Sequence, residues 1–171
     1  MNIAVPLQAM TVGIVVERAK SASPWGDFNW RPVSALPGAP ATPPWTKLSD
    51  DGERATFFAG VADVQLHRTE TENYRSNLMS GTPLLWVVLR QSETEMPYVL
   101  LLVTADPAEG EAMTEAGNDL VDTVPMPLAI QQAVADFVAE HHVERAFSKR
   151  QRDRADPEAF GRCVPGDDEQ A

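Results

Sequence analysis

A chain of 171 residues with 43% apolar composition can stock one hydrophobic core, and two well-filled domains are not expected. Its formal net charge of −11 sets it against phosphate backbones, and no run of about 18 apolar residues offers a membrane span. The single cysteine, Cys163, excludes an internal disulfide and any cysteine-pair metal or redox site. The first basic residue is Arg18, so the apolar N-terminal stretch lacks the positive flank of a secretory signal, and a cytoplasmic protein is expected.

Residues 1–10 show no periodic pattern and read as a flexible extension, with Met1 and Met10 both open as the natural start. From Thr11 onward, Val12, Ile14 and Val16 alternate with small or polar neighbours, the period of a half-buried strand. Trp25 to Leu36 supplies a hairpin partner after the Ser23-Pro24 turn, and Pro32 confines this second strand to an edge or a bulge. The proline-rich residues 37–44 form a stiff surface connection. Trp45 to Leu48 makes a short strand, Asp50-Asp51-Gly52 a turn, and Arg54 to Arg68 a long strand. Phe58, Val64 and Leu66 are expected on one face of that strand, and Asp63, Gln65 and His67 on the other.

Thr69 and Glu72 have capping-box spacing for a short helix carrying Tyr74 and Leu78, closed by Gly81. The apolar runs Leu84–Arg90 and Tyr98–Thr104 read as central strands covered on both faces. Asp106 and Pro107 open an acidic helix that stops before Gly117, and Pro127 opens a last helix striped by Ile130, Val134, Phe137 and His141. The predicted fold is therefore α+β: an antiparallel β-sheet or partly open barrel of about six strands, with a short inserted helix and a C-terminal helix packed on the sheet. Its domain spans 11–143, followed by a charged tail over 144–171.

Charge is unevenly spread. Between Gln91 and Glu144 the chain has eleven acids and no Lys or Arg, after which Arg145, Lys149, Arg150, Arg152 and Arg154 form a basic cluster. Solvation of a surface and tail is the plainer account. The sharper one is a surface for a protein partner, with Phe147, Lys149, Arg150, Arg152 and Arg154 as partner-binding residues. The cluster carries too few charges on too acidic a chain to indicate nucleic acid.

The sequence contains no phosphate-binding glycine loop and no nucleophile elbow. His141 and His142, adjacent on a helix, point about 100° apart and do not chelate one ion together, so no metal site is assigned. His142 is expected to face outward. Trp25, Trp30 and Arg31 are candidates for stacking a flat ligand such as a base or a pterin ring, although core packing also accounts for tryptophans on strands. No catalytic residue and no cofactor is assigned.

Several segments together carry a resemblance: Trp30-Arg31-Pro32-Val33, His67-Arg68-Thr69-Glu70-Thr71-Glu72, Leu85-Trp86-Val87-Val88-Leu89-Arg90, Val103-Thr104-Ala105-Asp106-Pro107 and Lys149-Arg150-Gln151-Arg152-Asp153-Arg154. Across roughly Thr11 to Gly161 the chain resembles a proteobacterial family of unknown function found in formate dehydrogenase gene clusters. The resemblance implies a non-enzymatic accessory or adaptor protein in the maturation, assembly or regulation of a molybdenum- or tungsten-containing formate dehydrogenase. A formate dehydrogenase subunit or a maturation factor would be its protein partner. Family members are sometimes labelled molybdopterin-guanine dinucleotide biosynthesis protein A, but the glycine-rich loop of that nucleotidyltransferase does not occur in this sequence. An enzyme or carrier that binds molybdopterin cofactor during its biosynthesis or insertion is the alternative.

Overall fold

The alternation at the start of the chain produces a long strand, β1 (Gln8–Lys20), which begins before Thr11 because Gln8, Ala9 and Met10 continue its ladder. It is followed by β2 (Phe28–Pro37), β3 (Thr46–Asp50) and β4 (Arg54–Leu66), and these four build one sheet in the order β2-β1-β4-β3. A single 3-10 turn, Arg68–Glu70, leads into helix α1 (Thr71–Met79). Then come β5 (Leu84–Gln91), β6 (Tyr98–Thr104), α2 (Pro107–Glu115), β7 (Leu120–Pro125) and α3 (Leu128–His141), with the strands in the order β6-β5-β7. The computed structural model describes residues 6–143, and among them every strand pair is antiparallel.

The α+β class is as the sequence predicts, realised among the described residues as seven strands in two antiparallel sheets, neither closed into a barrel. The sheets approach each other where β4 nears β6 and where β2 nears β7. Val12, Ile14 and Val16 from β1, Val64 and Leu66 from β4, and Leu85, Val87 and Leu89 from β5 form a common core. Tyr74 of α1 and Ile130, Val134 and Phe137 of α3 complete it, with the rings of Tyr74 and Phe137 edge to face at 6.1 Å. Burying each such side chain contributes about 1.5–3 kcal/mol, which is what holds α3 beside α1.

Four local expectations are corrected. The β1–β4 register shifts so that Ile14 faces Gly60 and Val15 faces Phe58, leaving Ala59 as the extra residue of a bulge. Phe58 therefore turns to the face of Gly13 and Val15, away from Val64, and its ring and Pro40 of the proline-rich connection both crowd the space beside Gly13. Strand β6 lies at a sheet edge with Val99 and Leu101 exposed, whereas β5 alone is central. The Thr69–Glu72 capping box does not form, because α1 begins later and Thr69 Oγ1 donates to Glu70 instead. Strand β7, absent from the sequence reading, is specified by pairing with β5 more than by its own pattern, since Val124 is its only fully buried side chain.

Candidate functional site

The β1–β2 hairpin sets Arg18 opposite Trp30 and Lys20 opposite Phe28. On its other side β1 sets Arg18 opposite Ala55 and Val16 opposite Phe57, while β3 sets Lys47 opposite Phe57 and Asp50 opposite Ala55. Directly opposed residues share a sheet face. Register alone thus collects Arg18, Phe28, Trp30, Lys47, Asp50 and Phe57 on one face, and the small Ala55 leaves room for the guanidinium.

Trp30 is the hub of the aromatic floor. Its ring lies 5.6 Å from Phe57, 6.1 Å from Tyr98 and 6.2 Å from Trp45, centroid to centroid. Trp45 enters with a φ of 63°, a left-handed backbone that bulky residues rarely adopt, and its N–H donates to the Phe58 carbonyl. Above the floor, the Arg18 guanidinium stands 4.4 Å from the Phe28 ring centre and 5.3 Å from that of Phe57. Asp50 is the acid of the cluster: Lys47 Nζ donates to its Oδ2 at 2.8 Å and the Gly52 N–H to its Oδ1 at 3.0 Å. The Lys47 hydrogen bond first, and the Gly52 N–H second, hold its carboxyl below the usual carboxylate value. Arg18 approaches Asp50 only to 3.9 Å, outside hydrogen-bond reach.

A second surface lies between two helices. Leu78 and Met79 of α1 and Ala135, Val138 and Ala139 of α3 line an open groove of about 420 Å³, with Arg75 and His142 at its polar parts. The alanines, one helical turn apart, keep its floor low. Met79 is 72% exposed at its margin. His142 Nδ1 is 3.1 Å from Thr71 Oγ1, so this ring ties the end of α3 to the start of α1 and does not simply face outward.

Of the ligand-stacking candidates, Trp30 is in the aromatic cluster and the other two are apart from it. Trp25 is 94% exposed in the turn before β2. Arg31 points to the opposite sheet face, where its Nε and Nη2 donate to Glu17 Oε1 at 3.3 and 3.2 Å. Arg18, Phe57 and Tyr98, which complete the cluster, are not among the stacking candidates that the sequence offers. For Arg18 the available signal was its place in the Val12, Ile14, Val16 alternation, which puts a cation on the apolar face. Phe147, Lys149, Arg150, Arg152 and Arg154 lie outside the described residues.

Asp63 and Gln65 share the exposed face of β4, where Asp63 accepts from Thr11 Oγ1 at 2.8 Å, whereas His67 lies past the strand's end and its Nδ1 is buried with no hydrogen-bond partner among the described residues. Among those residues no three His, Cys, Asp or Glu side chains stand together in a metal-binding group, and no helix is long and apolar enough to cross a membrane. Comparison with known proteins places residues 11–151 under a family model described as Protein of unknown function (DUF3305). No curated protein and no solved structure matches the chain.

Proposed function

The chain belongs to the DUF3305 family, and from that premise we propose that it is a non-enzymatic accessory or adaptor protein that docks on a protein of a molybdenum- or tungsten-containing formate dehydrogenase system. The observation that carries this reading is the groove between α1 and α3. Its walls are apolar, Met79 projects at its margin, and Arg75 and His142 supply its polar lining among the described residues. Such a groove suits an apolar side chain of the partner, whose burial supplies the affinity. The choice of formate dehydrogenase as partner, whether as subunit or through a maturation factor, rests on the sequence resemblance.

The test is binding of the purified full-length protein to formate dehydrogenase and its maturation factors. Ala135→Trp fills the groove and Met79→Glu places an acid beside it. Each is expected to weaken binding at least tenfold with an unchanged circular dichroism spectrum. Charge reversal at Lys149, Arg150 and Arg152 examines the tail in the same assay. Unaltered binding by the folded Ala135→Trp protein rules out the groove, and absence of any complex rules out the adaptor role. The alternative, a carrier for molybdopterin cofactor, draws on the aromatic cluster around Arg18 and predicts cofactor binding in equilibrium dialysis without any protein partner.

A further inference from the structure

Arg18 is placed as a ligand-binding residue is placed, on a sheet face remote in sequence from both helices of the groove. Its side chain is only 25% exposed, its ion pair with Asp50 is long at 3.9 Å, and among the described residues its guanidinium makes no hydrogen bond. Asp50 does not satisfy it: the 3.9 Å contact is beyond hydrogen-bond length, and the carboxylate is turned to shorter bonds from Lys47 Nζ and the Gly52 N–H. A guanidinium presents five donors in a planar fork that matches the two oxygens of a carboxylate or phosphate. Held between aromatic rings and largely shielded from water, those donors retain more of their electrostatic strength than surface donors do.

The surroundings select what the anion is attached to. Phe28, 42% exposed, and the half-buried Trp30 offer ring surface next to the guanidinium, and Lys47 Nζ lies 5.9 Å from the Phe57 ring centre. Among the described residues, Arg18 and Lys47 against Asp50, with Lys20 paired to Glu53 at 3.4 Å at the edge, leave this face net positive on a protein whose overall charge is −11. We propose that Arg18, with Phe28 and Trp30 beside it, forms a binding site for a small molecule that joins a flat ring to a carboxylate or phosphate. The oxyanion sits on the Arg18 fork, and the ring lies against Phe28 and Trp30. This site concerns the sheet face alone and stands whether or not the helical groove docks a partner.

The experiment compares matched pairs on the full-length protein by calorimetry: adenosine monophosphate against adenosine for phosphate, and 1-naphthoate against 1-naphthamide for carboxylate. The expected result is saturable binding of at least one anion, at least tenfold tighter than its neutral counterpart. The responding pair identifies the oxyanion. In a two-dimensional spectrum the Trp30 indole N–H, assigned through Trp30→Phe, shifts on binding, while that of Trp86 stays in place. Arg18→Met, which keeps the apolar contacts of the stem, loses at least tenfold in affinity. Equal binding of the neutral and charged compounds, no saturable binding of either anion, or a shift at Trp86 without one at Trp30 overturns the proposal. The comparison between ligands is made on the unaltered protein, so it decides the matter even where Arg18→Met does not fold.

Discussion

The backbone of Gly110 lies flat against the indole of Trp86: a Cβ at position 110 would stand 2.2 Å from the ring carbons Cγ and Cδ1. This contact is what seats α2 on the outer face of β5. Gly110→Ala is expected to destabilise the protein by about 1–3 kcal/mol, read as a lower urea midpoint. Combining it with Trp86→Leu, which removes the ring, should give a loss smaller than the sum of the two single changes. Strict additivity would show that the two residues do not press on each other.

Asn77 is 4% exposed and joins α1 to β5 and to the segment between β6 and α2. Its Nδ2 donates to the carbonyls of Leu84 (2.8 Å) and Ala105 (2.9 Å), and its Oδ1 accepts the Leu84 N–H at 3.0 Å. Asn77→Ala strands these buried groups and should cost about 1–3 kcal/mol in denaturant unfolding. Asn77→Asp sets a carboxylate against two carbonyl oxygens, which raises its folded-state pKa. That variant should therefore be most stable below the ordinary carboxylate range and weaken as pH rises through its raised value.

Trp30 and Trp25 should separate cleanly on truncation. Removing the Trp30 ring takes away its contacts with Trp45, Phe57 and Tyr98 and is expected to cost about 3 kcal/mol. Trp25→Ala should fall within about 0.5 kcal/mol of the parent, because the ring is almost wholly exposed. Similar thermal shifts for the two would contradict the aromatic cluster.

The phenol of Tyr74 is pushed up from 10.0 to about 12 by burial, against the lowering effect of the His67 N–H that donates to its oxygen. Between these values the folded chain holds a proton that the unfolded chain releases. Stability from this group is complete below about pH 10 and is lost as pH rises through 12. Tyr74→Phe should flatten the alkaline limb of a melting-temperature profile. Absorbance of the phenolate in the parent, minus that in the variant, should show a midpoint near 12.

Patterning and local chemistry made much of the fold legible. The alternation of Val12, Ile14 and Val16, the stripe Ile130, Val134 and Phe137, and the start of α2 follow from periods and capping rules that act within a few residues. At that start, Asp106 accepts the Ala108 N–H at 2.9 Å and Pro107 takes the first turn. A bulge, by contrast, leaves no local mark: Ala59 moves Phe58 to the other face because of how β4 registers against β1. Strand β7 exists because β5 offers it a ladder, and Val99 and Leu101 are exposed because β6 ended at an edge.

The same division holds for the candidate site. The sequence by itself determined that Trp30 would sit on a strand among other large apolar side chains, since residue type and period suffice for that. It could not determine that Arg31, next in the chain, would pair with Glu17 on the far face, nor that Arg18 would stand over the rings of Phe28 and Phe57. Those relations depend on the registers among β1, β2, β3 and β4, and a shift of one residue in any ladder exchanges the two faces of a strand. The tertiary structure decided them because register is fixed by which pairing buries the most apolar surface across both sheets together.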